Sequence, residues 1–188
     1  MKLLLVRHGE PSYDAVTERG YIGHGRDLAA LTAAGVAQAE RASRDPRLAG
    51  AQLILASPYT RALQTAAVIQ RNLQLPLWVE TDLHEWMPDC TYQYGQAQDS
   101  FDALGELQAH GGVWDASCRY HWEEPRQVAR RAYACLAPYA QRYEKIIAVT
   151  HGMVICQFPG APRDVPYCGI LEVDFDASLQ WPGYPPAP

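Results

Sequence analysis

The sequence predicts a three-layer α/β/α sandwich around a mostly parallel central sheet, and three observations carry that reading. Residues 3–6, 53–56 and 146–149 are short, continuously apolar runs, as strands covered on both faces are. Between them lie longer stretches with apolar residues at helical spacing, so that strands and helices alternate. Each of the three runs is followed at once by polar, reactive residues, the pattern expected where ligands bind beyond the carboxyl ends of parallel strands.

Taken in order, Leu3, Leu4, Leu5 and Val6 form the first strand. An alanine-rich helix over 32–43 follows, with Thr32 placed to cap it. The second strand, 53–56, leads to Ser57 and Pro58, which read as a helix start with the hydroxyl as N-cap and the proline at the first helical position. Ala62, Ala66, Ile69 and Leu73 then make one buried stripe. A short strand at 77–79 comes next. A helix over 126–143 presents Val128, Ala132, Leu136 and Tyr139 on one face, and Pro138 should kink or shorten it. Strands at 146–149 and 170–175 complete the set. Residues 86–124 break this rhythm with seven aromatic residues and Gly111-Gly112. They read as an insertion or lid within one domain of residues 1–180, followed by a proline-rich tail, 181–188.

With 188 residues, 48% apolar and 20% charged, the chain is not intrinsically disordered. It is long enough to bury roughly 70% of its unfolded surface without disulfides or metal. Sixteen Lys and Arg against 21 Asp and Glu leave a net charge of −5, which argues against a nucleic-acid partner or an anionic membrane surface. There is no run of 18 apolar residues for a membrane span. Residues 3–6 meet Arg7 and His8 too soon for a signal peptide. Cys90, Cys118, Cys135, Cys156 and Cys168 are widely spaced with no Cys-x-x-Cys. They read as free thiols of a reducing cytoplasm, although an odd count leaves room for one bridge. The expectation is a cytoplasmic protein with no nucleic-acid or membrane partner and an oligomeric state the sequence does not indicate.

The chemistry gathers at the strand ends. Val6 leads into Arg7-His8-Gly9-Glu10, Ala56 into Ser57 with Arg61 one turn later, and Val149 into Thr150-His151-Gly152. If these strands are parallel and adjacent, Arg7, His8, Arg61 and His151 converge on one spot suited to a tetrahedral dianion. Guanidinium forks match phosphate oxygens in pairs, and the helix after Ser57 would add backbone N–H donors. Singly, each element has an ordinary reading as a turn, a solvated arginine or a hydrogen-bonded loop histidine. Their recurrence at one kind of place is what points to a site. Gly23-His24-Gly25 follows no strand and lacks a third glycine, which excludes a dinucleotide fingerprint, and the six histidines lack a zinc spacing.

These segments also resemble a known family. Leu5-Val6-Arg7-His8-Gly9-Glu10 is similar to the signature of the histidine phosphatase superfamily, which includes the cofactor-dependent phosphoglycerate mutases. Residues 31–39 and 57–66, Leu83-His84-Glu85 and Val149-Thr150-His151-Gly152 resemble its later landmarks, in family order, over residues 3 to about 175. Tyr21-Ile22-Gly23-His24 is similar to the α-ribazole phosphatase branch. The resemblance implies a phosphoglycerate mutase-like fold and a set of roles. Neutral His8 would attack phosphorus to give a phosphohistidine. Arg7, Arg61 and His151, the last protonated under the influence of the dianion, would hold the transferring oxygens, with Ser57 beside them. His24 would touch phosphate or line the rim. Glu85 would be general acid and then base, with His84 and Asp89 near enough to substitute; burial would raise its pKa and the arginines would lower it. Neither metal nor cofactor is required, because the arginines supply the positive charge. Departures from the family pattern include Trp86-Met87-Pro88-Asp89 after the acid, Pro11 before Ser12, and prolines 159 and 162 cutting short the helix after His151.

The resulting expectation is a phosphomonoesterase acting on a small phosphorylated metabolite. The rivals are a mutase and a non-catalytic phosphate-binding protein with the same fold. The aromatic residues of 86–124 would either stack on a substrate group or pack that segment onto the domain. Arg119 and Arg126 would meet a second acidic group or pair with Glu123 and Glu124.

Overall fold

Alternate residues of the apolar runs face opposite ways, and this builds the three layers. In the computed structural model, which describes residues 1–184, strand β1 (Lys2–Arg7) is followed by a two-residue strand, β2 (Pro11–Ser12), and helix α1 (Asp14–Glu18). A 3-10 helix (Gly23–Leu28) precedes β3 (Ala30–Leu31), which pairs antiparallel with β2. Helix α2 (Ala33–Ala42), β4 (Leu53–Ala56), α3 (Thr60–Leu73) and β5 (Leu77–Val79) follow. Then come α4 (Ala97–Ala109), α5 (Pro125–Ala140), β6 (Lys145–Thr150), the single turn α6 (Gly152–Ile155) and β7 (Ile170–Asp174). The main sheet has the order β5-β4-β6-β1-β7. Its first four strands are parallel and β7 runs antiparallel to β1, so the mostly parallel α/β/α sandwich is what the chain adopts. Of the proline-rich tail, residues 185–188 lie outside the described residues.

On one face Leu4, Val6, Ile54, Ala56, Ile147 and Val149 pack on Ala62, Ala66 and Ile69 of α3. On the other, Leu3, Leu5, Leu53, Leu55, Ile146 and Ala148 pack on Val128, Ala132 and Leu136 of α5 and on Ala103 and Leu107 of α4. All these side chains are buried, each contributing about 1.5–3 kcal/mol for the larger aliphatics.

Register places the strand ends. Val6 lies opposite Val149, and Val149 opposite Ala56. The three strands therefore stop level, and His8 and Ser57 donate backbone N–H groups to the Thr150 and Val149 carbonyls at 3.0 and 2.9 Å. Antiparallel β7 brings its start to the same end, where Gly169 accepts from the Arg7 N–H at 3.0 Å.

Helix ends follow local chemistry, with one correction. Thr32 caps α2, accepting from the Gly35 N–H at 2.9 Å. Ser57 does not cap α3: that helix begins at Thr60, three residues later, behind Tyr59. The Ser57 hydroxyl is drawn instead to His151, 2.7 Å away, and accepts only a 3.3 Å bond from Tyr59 N–H. Helix α5 starts at Pro125 with a Glu124–Gln127 capping box. It carries Pro138 in its last turn and ends at Ala140 rather than 143.

In 86–124, Trp86, Tyr94, Tyr120 and Trp122 are buried, and Trp86, Tyr120 and Trp122 belong to the same core as β1 and α5. Tyr92 and Phe101 stay exposed. Arg126 pairs with Glu124 at 2.5 Å and Arg119 lies over the Tyr120 ring. The five cysteines are unbridged. Among the described residues no helix is long and apolar enough to cross a membrane.

Gly9 and Gly35 bring the turn after β1 against α2. A Cβ on Gly35 would lie 2.3 Å from the Glu10 carbonyl oxygen, and one on Gly9 2.6 Å from the Gly35 oxygen. Alanine in a helix ordinarily stabilises by about 0.5–1 kcal/mol relative to glycine, and here the sign should invert. Gly35→Ala is expected to lower stability by about 1–3 kcal/mol through overpacking. Gly105→Ala, in α4 with nothing near the added methyl, should raise it by about 0.5–1 kcal/mol. Urea unfolding midpoints of the two variants check the contrast.

Candidate functional site

The level strand ends bring Arg7, His8, Ser57, Arg61 and His151 together. His8 is buried. Its Nδ1 lies 2.7 Å from the Gly9 carbonyl oxygen, an acceptor only, so Nδ1 carries the ring proton and Nε2 the lone pair. Arg61 Nε–H donates to that Nε2 at 3.3 Å. Burial first, then the charges of Arg61 and Arg7, hold the His8 pKa down at about 3 despite the Gly9 bond.

His151 is completely buried, its ring 5.1 Å from that of His8 and 5.2 Å from Tyr59. Burial, followed by Arg61, pushes its pKa well below the ordinary value. The ring is therefore neutral by itself, and the protonated form expected from the sequence needs an added dianion. Ser57 Oγ pairs with Nε2, and Nδ1 has no partner.

Arg7 lies with its guanidinium carbon 4.5 Å over the Tyr167 ring, gives Nη1 to the Val165 carbonyl, and keeps a buried Nε without a partner. Arg61, in the first turn of α3, is nearly fully buried and its Nη1 pairs with Asp27 at 3.0 Å. Burial works against the Arg61 charge, and Tyr13, Asp27 and Glu85 outweigh it, so its pKa stands above the usual value. Thr65, one turn on, accepts from Gly9 N–H at 3.0 Å and donates to the Arg61 carbonyl at 2.8 Å. This fixes the His8 turn to the helix that carries Arg61.

Glu85 lines a cleft of about 240 Å³ with Arg61, Asp27, His24 and Arg26, walled by Tyr13, Trp86, Tyr94 and Phe101. Burial raises its pKa more than the Trp86 N–H bond and Arg61, Arg7 and Arg131 lower it, so the competition left open by the sequence goes to burial. Its Oε1 accepts from Trp86 N–H at 2.8 Å. His24 stands at the rim between this cleft and a second of about 230 Å³. Its Nδ1 is 3.5 Å from Asp27, its ring lies against Tyr92 and Tyr94, and its Nε2 is buried without a partner.

The two substitutes for Glu85 each carry local hydrogen bonds. Asp89 accepts from Thr91 N–H and Oγ, closing a turn. His84 Nδ1 donates to the Glu85 carbonyl at 2.6 Å. Asp27, Thr65 and Arg131 escape the sequence reading; Asp27 follows the Gly23-His24-Gly25 run closely, which was the one available signal.

Of the four buried side-chain polar atoms without a partner among the described residues, three belong to Arg7, His24 and His151. Native interiors ordinarily pair such atoms. No metal-ligating cluster forms around His8 among the described residues. The ligand atoms of His110, Asp115 and Cys118 lie within 4.8 Å of one another, and there His110 already pairs with Asp115 at 3.3 Å.

Stability should follow the histidines. Above pH 6.5 His8 is neutral whether folded or unfolded. As pH falls from 6.5 toward 3, the unfolded ring takes up a proton that the folded one does not. The depressed pKa of His151 acts in the same direction. Stability is expected to decline through that window, and less so in His8→Gln; melting temperatures across the pH series for both proteins check this.

A model of the histidine phosphatase superfamily (branch 1) matches residues 3–170. No curated protein matches the chain. Among solved structures, a mycobacterial glucosyl-3-phosphoglycerate phosphatase in complex with VO3 aligns at TM-score 0.68 and 22% identity, covering 96% of this chain and 95% of that one. The alpha-ribazole phosphatase from Shigella flexneri aligns at TM-score 0.65 and 22% identity, covering 96% and 95%. YhfR from Bacillus stearothermophilus aligns at TM-score 0.67 and 23% identity, covering 100% and 98%. At these identities the likeness establishes the shared fold.

Proposed function

The chain belongs to the histidine phosphatase superfamily (branch 1), and from that premise we propose that it is a phosphomonoesterase working through a phosphohistidine on His8. The observation that carries the reading is the state of His8: a neutral ring whose Nε2 lone pair faces Arg61 beside His151. A nucleophile must present such a pair; His8 needs no base to free it, only release of the 3.3 Å bond from Arg61 Nε–H when that guanidinium turns to the substrate.

In the first step Nε2 bonds to phosphorus and the P–O bond to the leaving group breaks. That oxygen takes the proton of Glu85, whose raised pKa favours the protonated acid. The oxygens of the transferring group are met by Arg7, Arg61 and His151, which supply the charge that a metal would otherwise bring. In the second step Glu85, now a carboxylate, takes a proton from water as it attacks phosphorus. The N–P bond breaks and returns His8 to its neutral form. The cleft beside Arg61, about 240 Å³ with aromatic walls, supports a small phosphorylated metabolite as substrate, with no cofactor, nucleic acid or membrane involved. The thiols fit a cytoplasmic setting.

His8→Ala should abolish turnover of an aryl phosphate while leaving the circular dichroism spectrum unchanged. Brief exposure to radiolabelled substrate should leave an acid-labile, alkali-stable label on the wild type and none on the variant. Equal rates for the two proteins would refute the proposal. Release of inorganic phosphate, rather than phosphoryl return to the alcohol, separates a phosphatase from a mutase.

A further inference from the structure

Arg131 lies on α5 outside the cationic cluster, and its guanidinium is fully engaged. Nε donates to Glu123 Oε1 at 2.7 Å and Nη2 to Glu123 Oε2 at 3.0 Å. Nη1 donates to the carbonyls of Asp82 and His84 at 2.6 and 2.8 Å, and Nη2 to that of Glu85 at 3.3 Å. A guanidinium has five N–H donors, and all five are spent on the protein, so none is left for a ligand. The side chain is 13% exposed and that of Glu123 8%.

What those bonds hold is the main chain that carries Glu85. The Glu85 carboxyl is fixed by the neighbouring Trp86 N–H, so its direction follows the backbone of 84–86. The same segment is tied to Glu123 three times more: Trp86 Nε1 donates to the Glu123 carbonyl at 2.6 Å, Met87 N–H to its carboxylate at 3.3 Å, and the Met87 carbonyl accepts from Glu123 N–H at 2.9 Å. Thr150 Oγ donates to the Leu83 carbonyl at 2.7 Å, linking the same loop to the end of β6. We propose that Arg131 is a positioning residue that aims the Glu85 carboxyl at the leaving-group oxygen by clamping the carbonyls of Asp82, His84 and Glu85 to Glu123. This rests on the reading of Glu85 as the proton donor. A lysine could keep the charge opposite Glu123, but its compact ammonium has three donors and no fork to reach three carbonyls as well.

The test uses leaving groups. As Nε2 bonds to phosphorus and the P–O bond breaks, an alkoxide must take the Glu85 proton, whereas a dinitrophenolate departs without one. Glu85→Gln should lower kcat/KM for an alkyl phosphate by about 100-fold or more and that for dinitrophenyl phosphate by less than about tenfold. Arg131→Lys should show the same pattern at about tenfold, with KM little changed. Its effect should largely vanish in the Glu85→Gln background, because the two changes remove one interaction. If Glu85→Gln affects both substrates alike, the proton-donor reading fails and this inference falls with it. If Glu85→Gln discriminates but Arg131→Lys lowers both substrates equally, or adds its full effect to Glu85→Gln, Arg131 is only structural and the inference is overturned. Should Arg131→Lys not fold, the same pair of substrates on Glu123→Gln decides: a selective loss of several-fold on the alkyl phosphate supports the clamp, and an unselective loss or none overturns it.

Discussion

Val6, Val149 and Ala56 stand side by side across three parallel strands, and the chemistry of the molecule hangs on that register. The side-chain period of a strand is two residues, so a slip of one would turn each apolar set to the wrong face. The same slip would move Arg7-His8, Ser57 and His151 out of level. The two-sided core that forbids slipping is therefore also what gathers the polar cluster. Close contact between Gly9 and Gly35, together with the Thr65 bonds, carries the constraint one residue further, to the ring of His8.

Collecting two arginines and two histidines in a buried pocket is electrostatically costly, because like charges repel strongly where water is excluded. The molecule meets this by leaving both histidines neutral and by giving Arg61 a carboxylate partner in Asp27. Arg7 turns toward the Val165 carbonyl and the Tyr167 face. Arg7 and His151 each keep a buried polar atom without a partner, Nε and Nδ1. The shift of Glu85 belongs to the same balance, since its burial outweighs three nearby arginines.

Much of this was legible in the chain. Continuous apolar runs identify the buried strands because a sheet covered on both faces has no polar row. The residues directly after them point to the candidate site because strand ends are where such sheets bind ligands. The start of α3 was misread because Ser57-Pro58 has the local chemistry of a helix cap, and local chemistry cannot register a histidine arriving from residue 151, 94 positions away. Arg131 and Asp27 were missed for a similar reason. Each looks like an ordinary charged residue until tertiary packing supplies its partners. The aromatic residues of 86–124 leave two readings open, and both are met: Trp122 is in the core, Phe101 is exposed on the cleft wall, and Trp86 belongs to core and wall alike.

The bond from His8 Nδ1 to the Gly9 carbonyl has a consequence in isomerism. Imidazole can be phosphorylated on either nitrogen, and the two products are distinct compounds with different lifetimes. Here Nδ1 is tied to the backbone of the next residue, and Nε2 is the nitrogen left with the lone pair. On the proposed reading, a phosphoryl group accepted by His8 goes to the far, or τ, nitrogen, because the π nitrogen is bonded to the main chain.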